Sequence, residues 1–416
     1  MFSQWLIKDW QTHKYFFFGT LLLLLTVILT VAYYINYPRV ELIADTPAYL
    51  GGADRIYTHP YFLVDVWRLP GYPLLIAFVY ALYGRGNLMA VSIAQGILFV
   101  LATMEVYVLA ILVLKRTWMA FLIGLLVGTN IILLSYIKPI MSEGLALWLL
   151  TTLALAVVCF LRTLRMPVMW IVVVCMVLLL FTRPEWTYLP LPLFAYLLLV
   201  AVQKGVVRRF LLHALLALVF TYALLGSYIG INTQVNHYPG LTAIENFNLL
   251  GKVLQYNMQD EAPAQDAQIS HELDILVVRE GRDPYPILHY MPSLSKNNDL
   301  PAGDFARTIL LNHPLEFLLK SIPLFFASLT AYYDSSRVTI PGPFDGFLNW
   351  LKSLHRVLYG WNVFFPLCAL IWLLLLCWRK LRSQQLALEM GAIVLLACYA
   401  LVITVLGGYR LDDYMR

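Results

Sequence analysis

Apolar stretches of about twenty residues recur along most of this chain, and that repetition limits its fold more than any motif does. Phe16–Ile35, Phe210–Ile231 and Gln385–Leu406 are three of them, each near the ~20 residues that cross ~30 Å of hydrocarbon. Lipid offers backbone amides no partner, so a spanning chain must be helical or form a closed barrel. A barrel would alternate polar and apolar residues over segments of ~10, which these runs do not. Charged residues make up 13% of the chain, half the ~25% of a soluble domain. The expectation is an all-α polytopic membrane protein. A single anchor is excluded by the number of runs. Phe16–Ile35 is long for a signal-peptide core and lacks a following small-residue cleavage site, so it is read as the first span. Cys159, Cys175, Cys368, Cys377 and Cys398 all lie in apolar runs, as small core residues rather than a disulfide or zinc framework.

About ten spans are expected: 16–35, 87–114, 118–136, 143–161, 166–182, 186–202, 210–231, a segment within 314–332, 360–378 and 385–406. Their connections differ in charge. Lys8, Lys14, Lys115, Arg116, Arg162, Arg165, Lys204, Arg208, Arg209, Arg379, Lys380 and Arg382 stand beside one acid, Asp9. The positive-inside rule makes those segments cytoplasmic. Residues 36–86, 137–142, 183–185 and 232–313 then face the outer side. With 232 and 359 both outside, 314–332 cannot be a simple crossing, and Phe305–Gly360 reads as re-entrant or interfacial. The expected organisation is an N-terminal transmembrane module, 1–231, carrying a catalytic first outer loop, 36–86. An outer region with re-entrant or interfacial helices, 232–359, and C-terminal transmembrane helices, 360–416, follow it.

Residues 232–304 hold ten acids against Lys252, Arg279, Arg282 and Lys296, a balance that argues against nucleic acid or an anionic leaflet as partner. The segment reads either as a small helical cap with a solvated charged face or as an acceptor-binding lid.

The first outer loop is richer in chemistry. Asp45 precedes Thr46–Pro47, which suits a helix from Thr46 to Tyr57 with Asp45 as its cap. Alternatively, a carboxylate on a short loop between apolar elements is partly desolvated and serves as a general base. Asp54, nine residues on, could share its helix face. Arg68 precedes Pro70–Gly71–Tyr72–Pro73 and a short apolar helix, Leu74–Tyr83, expected at the interface. It reads either as a phosphate clamp or as a residue snorkelling to headgroups. Glu143 after Ser142, the hairpin Thr182–Arg183–Pro184–Glu185–Trp186, and Gly407–Gly408–Tyr409–Arg410 place further charges at outer span ends. Each is either functional or a local ion pair. His13, His213 and His355 look isolated, and His237, His271, His289 and His313 show no ligand spacing. With no phosphate-binding glycine loop and no serine elbow in the sequence, any chemistry falls to carboxylates and arginines.

In order along the whole chain, Ala44–Asp45–Thr46–Pro47, Arg68–Leu69–Pro70–Gly71–Tyr72–Pro73, Ser142–Glu143, Thr182–Arg183–Pro184–Glu185, Asn312–His313–Pro314–Leu315–Glu316 and Gly408–Tyr409–Arg410 resemble GT-C glycosyltransferases. The likeness is to the bacterial branch related to protein O-mannosyltransferases and to the aminoarabinose transferase of lipid A. It implies an enzyme of the bacterial cytoplasmic (inner) membrane with periplasmic loops. Such an enzyme takes a sugar from a polyprenyl-phosphate donor at the outer face and passes it to a protein, glycolipid or glycan acceptor. Asp45 would be the base or acceptor-orienting carboxylate. Arg68, Arg183 and Arg410 would face the donor phosphate, while Asp54, Tyr72, Glu143 and Glu185 would contact substrate. Some members bind a divalent metal near the first-loop acids. Asp54 lies too far along for a tight Asp-x-Asp pair, which leaves a metal open and no cofactor assigned. Relatives usually continue past the Tyr–Arg motif into another span, whereas this sequence stops at Arg416.

A transporter or flippase of lipid-linked sugars is the competing class. Such proteins bind at the bilayer midplane between repeats, whereas here the charges gather at one face and no internal repeat is visible. A non-catalytic scaffold would leave Asp45 and Arg68 without a task. The topology is directly testable: single cysteines placed at exposed positions in 36–70 and in 232–304 should both react with an impermeant thiol reagent on intact cells. Protection of either loop until the membrane is opened would overturn the assignment of sides.

Overall fold

The computed structural model describes residues 2–60, 62–330, 342–359, 364–377 and 385–408. Among these the chain is helical throughout, apart from short turns and one isolated bridge between Glu41 and Pro139. In chain order the helices are α1 (Phe2–Asn36), α2 (Thr46–Thr58), α3 (Gly71–Tyr83), α4 (Leu88–Leu114), α5 (Thr117–Gly128) and α6 (Ile131–Ser135). Then come α7 (Glu143–Thr163), α8 (Met166–Thr182), α9 (Pro190–Gln203), α10 (Val207–Asn236), α11 (Ile244–Gln255) and α12 (Ala267–Glu280). The last are α13 (Pro284–Tyr290), α14 (Pro292–Asn312, interrupted by non-helical backbone at Lys296–Asp299), α15 (Pro314–Thr330), α16 (Asp345–Tyr359), α17 (Phe364–Cys377) and α18 (Gln385–Gly407).

Six segments are long and apolar enough to cross a membrane: His13–Asn36, Leu88–Leu114, Glu143–Thr163, Pro184–Gln203, Val207–Asn236 and Gln385–Gly407. They make the protein a multi-pass membrane protein. Counting the pair Pro292–Asn312 and Pro314–Ala327, bent by 96°, raises the number to seven among the described residues. The expected ten is larger for identifiable reasons. The run 118–136 breaks at Thr129–Asn130, where the Asn130 carboxamide accepts from the amides of Ile132 and Leu133 at 3.0 and 3.2 Å and starts α6 anew. Helix α8 has 17 residues and the described part of α17 has 14. The bend at His313 belongs either to a broken span or to a re-entrant segment.

The described chain packs as two compact units. The first comprises Met1–Phe62, Gly71–Thr221 and Tyr332–Leu396. Its helices pack in the order α5, α4, α7, α8, with α1 against α4 and α5. Two polar contacts within the apolar helices show how it is fastened. The Glu105 carboxylate on α4 accepts from Trp148 Nε1 at 3.0 Å, Thr151 Oγ1 at 2.6 Å and Thr152 Oγ1 at 2.9 Å, all on α7. Glu389 on α18 is buried and receives Arg162 of α7 through two hydrogen bonds, 2.7 and 2.9 Å. A carboxylate at that depth is tolerated only when its oxygens are met by donors.

The second unit comprises Leu63–Pro70, Tyr222–Ala331 and Ala397–Arg416. Residues 244–312 form a helical cap around Leu250, Val253, Leu254, Leu273, Ile287, Phe305 and Ile309. This is a folded core rather than a disordered loop. The apolar positions 250, 253 and 254 recur at helical spacing on α11 and face α14. Gly303 lies directly against the side chain of Asn246, a place no larger residue could occupy.

Lys252 in this cap is fully buried. Its ammonium donates only to Gln255 Oε1, at 3.1 Å, and lies 5.2 Å from the Tyr256 ring centroid. Burial pushes its pKa down to about 7. The folded state thus binds fewer protons than the unfolded chain between pH 7 and the ordinary lysine value. The resulting penalty is full below about pH 7 and fades as pH rises to the unfolded pKa, ~10.4. Lys252→Met should therefore raise the thermal midpoint of the detergent-solubilised protein, more at about pH 6 than at about pH 9. A midpoint unchanged or lowered at both values would contradict this account.

Candidate functional site

The segment between α1 and α2 is folded onto the connection between α6 and α7. Glu41 N donates to Lys138 O at 3.2 Å and Ile140 N to Glu41 O at 3.3 Å. Thr46, almost fully buried, accepts from Ile43 N at 2.9 Å and donates to Ile140 O at 3.3 Å. The start of α2 is thus fixed by Thr46, with Pro47 in its first turn. Asp45 occupies the N-cap position, yet its carboxylate makes no capping hydrogen bond. Thr46 ties the helix start to Ile140 rather than capping it, and Asp45 is partly exposed.

One turn on, Tyr49 OH donates to Ser142 Oγ at 3.1 Å. Its ring meets that of Tyr72 edge to face, centroids 4.9 Å apart. Tyr72, fully buried near the start of α3, donates to Gln95 Oε1 at 2.7 Å. The Gln95 amide in turn donates to the carbonyls of Ile137 and Pro139 at 3.1 and 3.0 Å. Gly71 explains the Pro–Gly–Tyr–Pro turn. A Cβ there would lie 2.6 Å from Thr182 Oγ1 and 2.8 Å from the Phe181 carbonyl oxygen, so only glycine lets α3 begin against the end of α8.

That approach places the end of α8 beside α7. Arg183 Nη1 lies 3.2 Å from Glu143 Oε1, and Arg183 Nε donates to Glu185 Oε1. Burial alone would make the guanidinium easier to deprotonate, but the Glu185 and Glu143 carboxylates outweigh it and hold Arg183 firmly charged. Three residues singled out in the sequence, Glu143, Arg183 and Glu185, therefore form one ion cluster with Tyr49 at its edge. Two carboxylates around one arginine leave it negative on balance, and phosphate binding at Arg183 would have to displace one of them.

The other expected residues fall elsewhere. Asp54 pairs with Arg85 at 2.9 Å and is partly exposed, so its charge is balanced within the loop. Arg68 belongs to the second unit, where Asp65 Oδ1 accepts from the amides of Trp67 and Arg68 at 2.6 and 2.9 Å. Tyr228 OH braces the Asp65 backbone, and Ala243 N donates to Val66 O at 2.8 Å. Arg68 thus sits on a fixed turn. Arg410 lies outside the described residues.

Lys138 was missed by the sequence reading. Its side chain is 3% exposed. Among the described residues the Nζ has no hydrogen-bond partner, and it lies 4.3 Å from the Tyr34 ring centroid. Burial lowers its pKa to about 8. The available signal was that Lys138 is the single charged residue between Arg116 and Glu143.

No protein-family model, no curated protein and no solved structure matches this chain.

Gly71→Ala should cost about 1–3 kcal/mol by overpacking α3 against α8, read as a lowered thermal midpoint. An unchanged midpoint would show that the two helix ends separate easily, and that the tyrosine and carboxylate cluster is not held by this contact.

Proposed function

We propose that the chain is a membrane glycosyltransferase of GT-C type, transferring a sugar from a polyprenyl-phosphate donor to a protein, glycolipid or glycan acceptor at the outer, periplasmic face of a bacterial inner membrane. The observation that carries the proposal is the placement of Asp45: a half-buried carboxylate at the head of α2, one turn from the Tyr49–Ser142 contact. In this reading the short helices α5, α6, α8, α15 and α17 complete about ten membrane crossings and re-entrant passes.

The chemistry asks for two things. Asp45 takes the proton of the acceptor hydroxyl as its oxygen attacks the anomeric carbon. The bond from that carbon to the phosphate oxygen breaks on the opposite face, inverting the centre, and the departing polyprenyl phosphate keeps the electron pair. Arg68, with its bidentate fork, neutralises the charge that develops there, and Arg410 is the second candidate. Arg183 holds Glu143 and Glu185 in place for the sugar hydroxyls, with Tyr72 packed behind Tyr49. The 96° break at His313 also suits a carrier of lipid-linked sugars. That alternative assigns Asp45 no proton transfer.

Asp45→Asn should leave donor binding nearly intact and reduce transfer by ~10²–10⁴. In the same assay Arg68→Lys, which keeps a charge but loses the fork, should lower kcat/KM roughly tenfold to a hundredfold. Transfer by the asparagine variant near the parental rate would dispose of Asp45 as base. A lysine variant within about twofold of the parent would make Arg68 a headgroup anchor.

A further inference from the structure

Glu261 lies 52 residues before His313, which is three residues before Glu316, and the three meet within the second unit. One ligand atom from each lies within 4.8 Å of the others. Each is held by its own scaffold rather than by hydrogen bonds among the three. Glu261 closes a 3-10 turn, Gln259–Glu261. Ser270 Oγ donates to the Gln259 carbonyl at 2.7 Å, and the Gln259 side-chain amide donates to Asp274 at 2.9 Å. His313 ends α14 in a non-helical conformation, φ −121° and ψ 50°, as expected of a residue before proline. The 96° bend there turns α15 so that Glu316, in its first turn, lies near the imidazole. Packing of Tyr256 on Phe317, centroids 5.9 Å apart, ties α15 to the end of α11, a few residues ahead of that turn.

The distances resemble an unfilled coordination shell more than a hydrogen-bonded cluster. His313 Nδ1 is 3.8 Å from Glu261 Oε2, too long for a hydrogen bond. Tetrahedral zinc, with bonds of ~2.0–2.2 Å, separates its ligands by roughly 3.3–3.6 Å. The three atoms need close by about an ångström to meet that. Imidazole nitrogen and carboxylate oxygen are both zinc donors, and three protein ligands with a fourth position open is the count that catalytic zinc sites use. The competing partner is Lys320, 2.6 Å from Glu316 Oε1. A carboxylate has a second oxygen, so this pair does not block coordination. About a third or more of each ligand side chain is exposed, which gives an ion an entry path.

We propose that Glu261, His313 and Glu316 form a binding site for a zinc-class divalent cation, which clamps the bend between α14 and α15 to the 3-10 turn of the cap. The site is made only of residues of the second unit, so it does not depend on the glycosyltransferase reading. Imidazole nitrogen favours zinc, cobalt or nickel over magnesium and calcium, which prefer all-oxygen shells.

The test uses the full chain in detergent, stripped with chelator and titrated with Zn²⁺ by calorimetry, with melting followed in parallel. One equivalent of Zn²⁺ should bind and raise the midpoint by mass action. His313→Ala should weaken binding by more than the roughly 10–100-fold typical of losing a mere supporting partner, and should abolish the zinc-dependent rise. Glu316→Gln is the second variant, should the alanine protein melt abnormally without metal. Absence of binding by the parent would overturn the proposal. So would a titration that His313→Ala and Glu316→Gln leave unchanged, or equal affinity for Mg²⁺ or Ca²⁺.

Discussion

Hydrocarbon supplies no hydrogen bonds, and most of the described structure follows from that. Backbone groups inside the bilayer must pair within their own segment, so the chain is helical, and polar side chains on those helices must find partners on neighbouring ones. Glu105 shows the rule at work. Its oxygens are met by an indole and two hydroxyls of α7, which turns a costly group into a fastening between two helices. Glu389 does the same for α18 through Arg162. Leaving either carboxylate unmatched would cost more than a lost apolar contact, so these pairs fix which helices are neighbours and at what height.

The constraint relaxes where the apolar helices end, and there the architecture changes. The termini of α2, α3, α7 and α8 meet through side chains that satisfy one another: Thr46 with Ile140, Tyr49 with Ser142, Tyr72 with Gln95, and Arg183 with two glutamates. The arrangement is rigid because Gly71 allows one helix to start against the end of another. Within it Asp45 is held in place by its neighbours while its own carboxylate is left out of the cap.

The cap of the second unit is organised differently, around an apolar core of its own. It tolerates a buried lysine with a single carboxamide acceptor, a group that destabilises the fold whenever it is protonated. It also gathers an imidazole and two carboxylates at the bend that begins α15. Both features belong to a folded helical unit with a core of its own rather than to a connector.

The helical class, the presence of several long apolar runs, the start of α2 at Thr46–Pro47 and the short helix ending at Tyr83 were legible in the sequence. Each depends on local properties: run length, periodicity, or the backbone preference of proline. Pairing was not legible. Glu143, Arg183 and Glu185 stood out singly, and only packing of α7 on α8 made them one cluster. Asp54 offered itself as a companion of Asp45 but pairs with Arg85. The outer histidines show no ligand spacing along the chain, yet His313 meets Glu261 across 52 positions. Lys138 reads as an ordinary loop charge until its burial is known. By itself the sequence determined that this is a multi-pass helical membrane protein whose charges gather at helix ends. Which of those charges meet was decided only by the tertiary structure, because the energy of an ion pair or a buried amine depends on neighbours that no local spacing specifies.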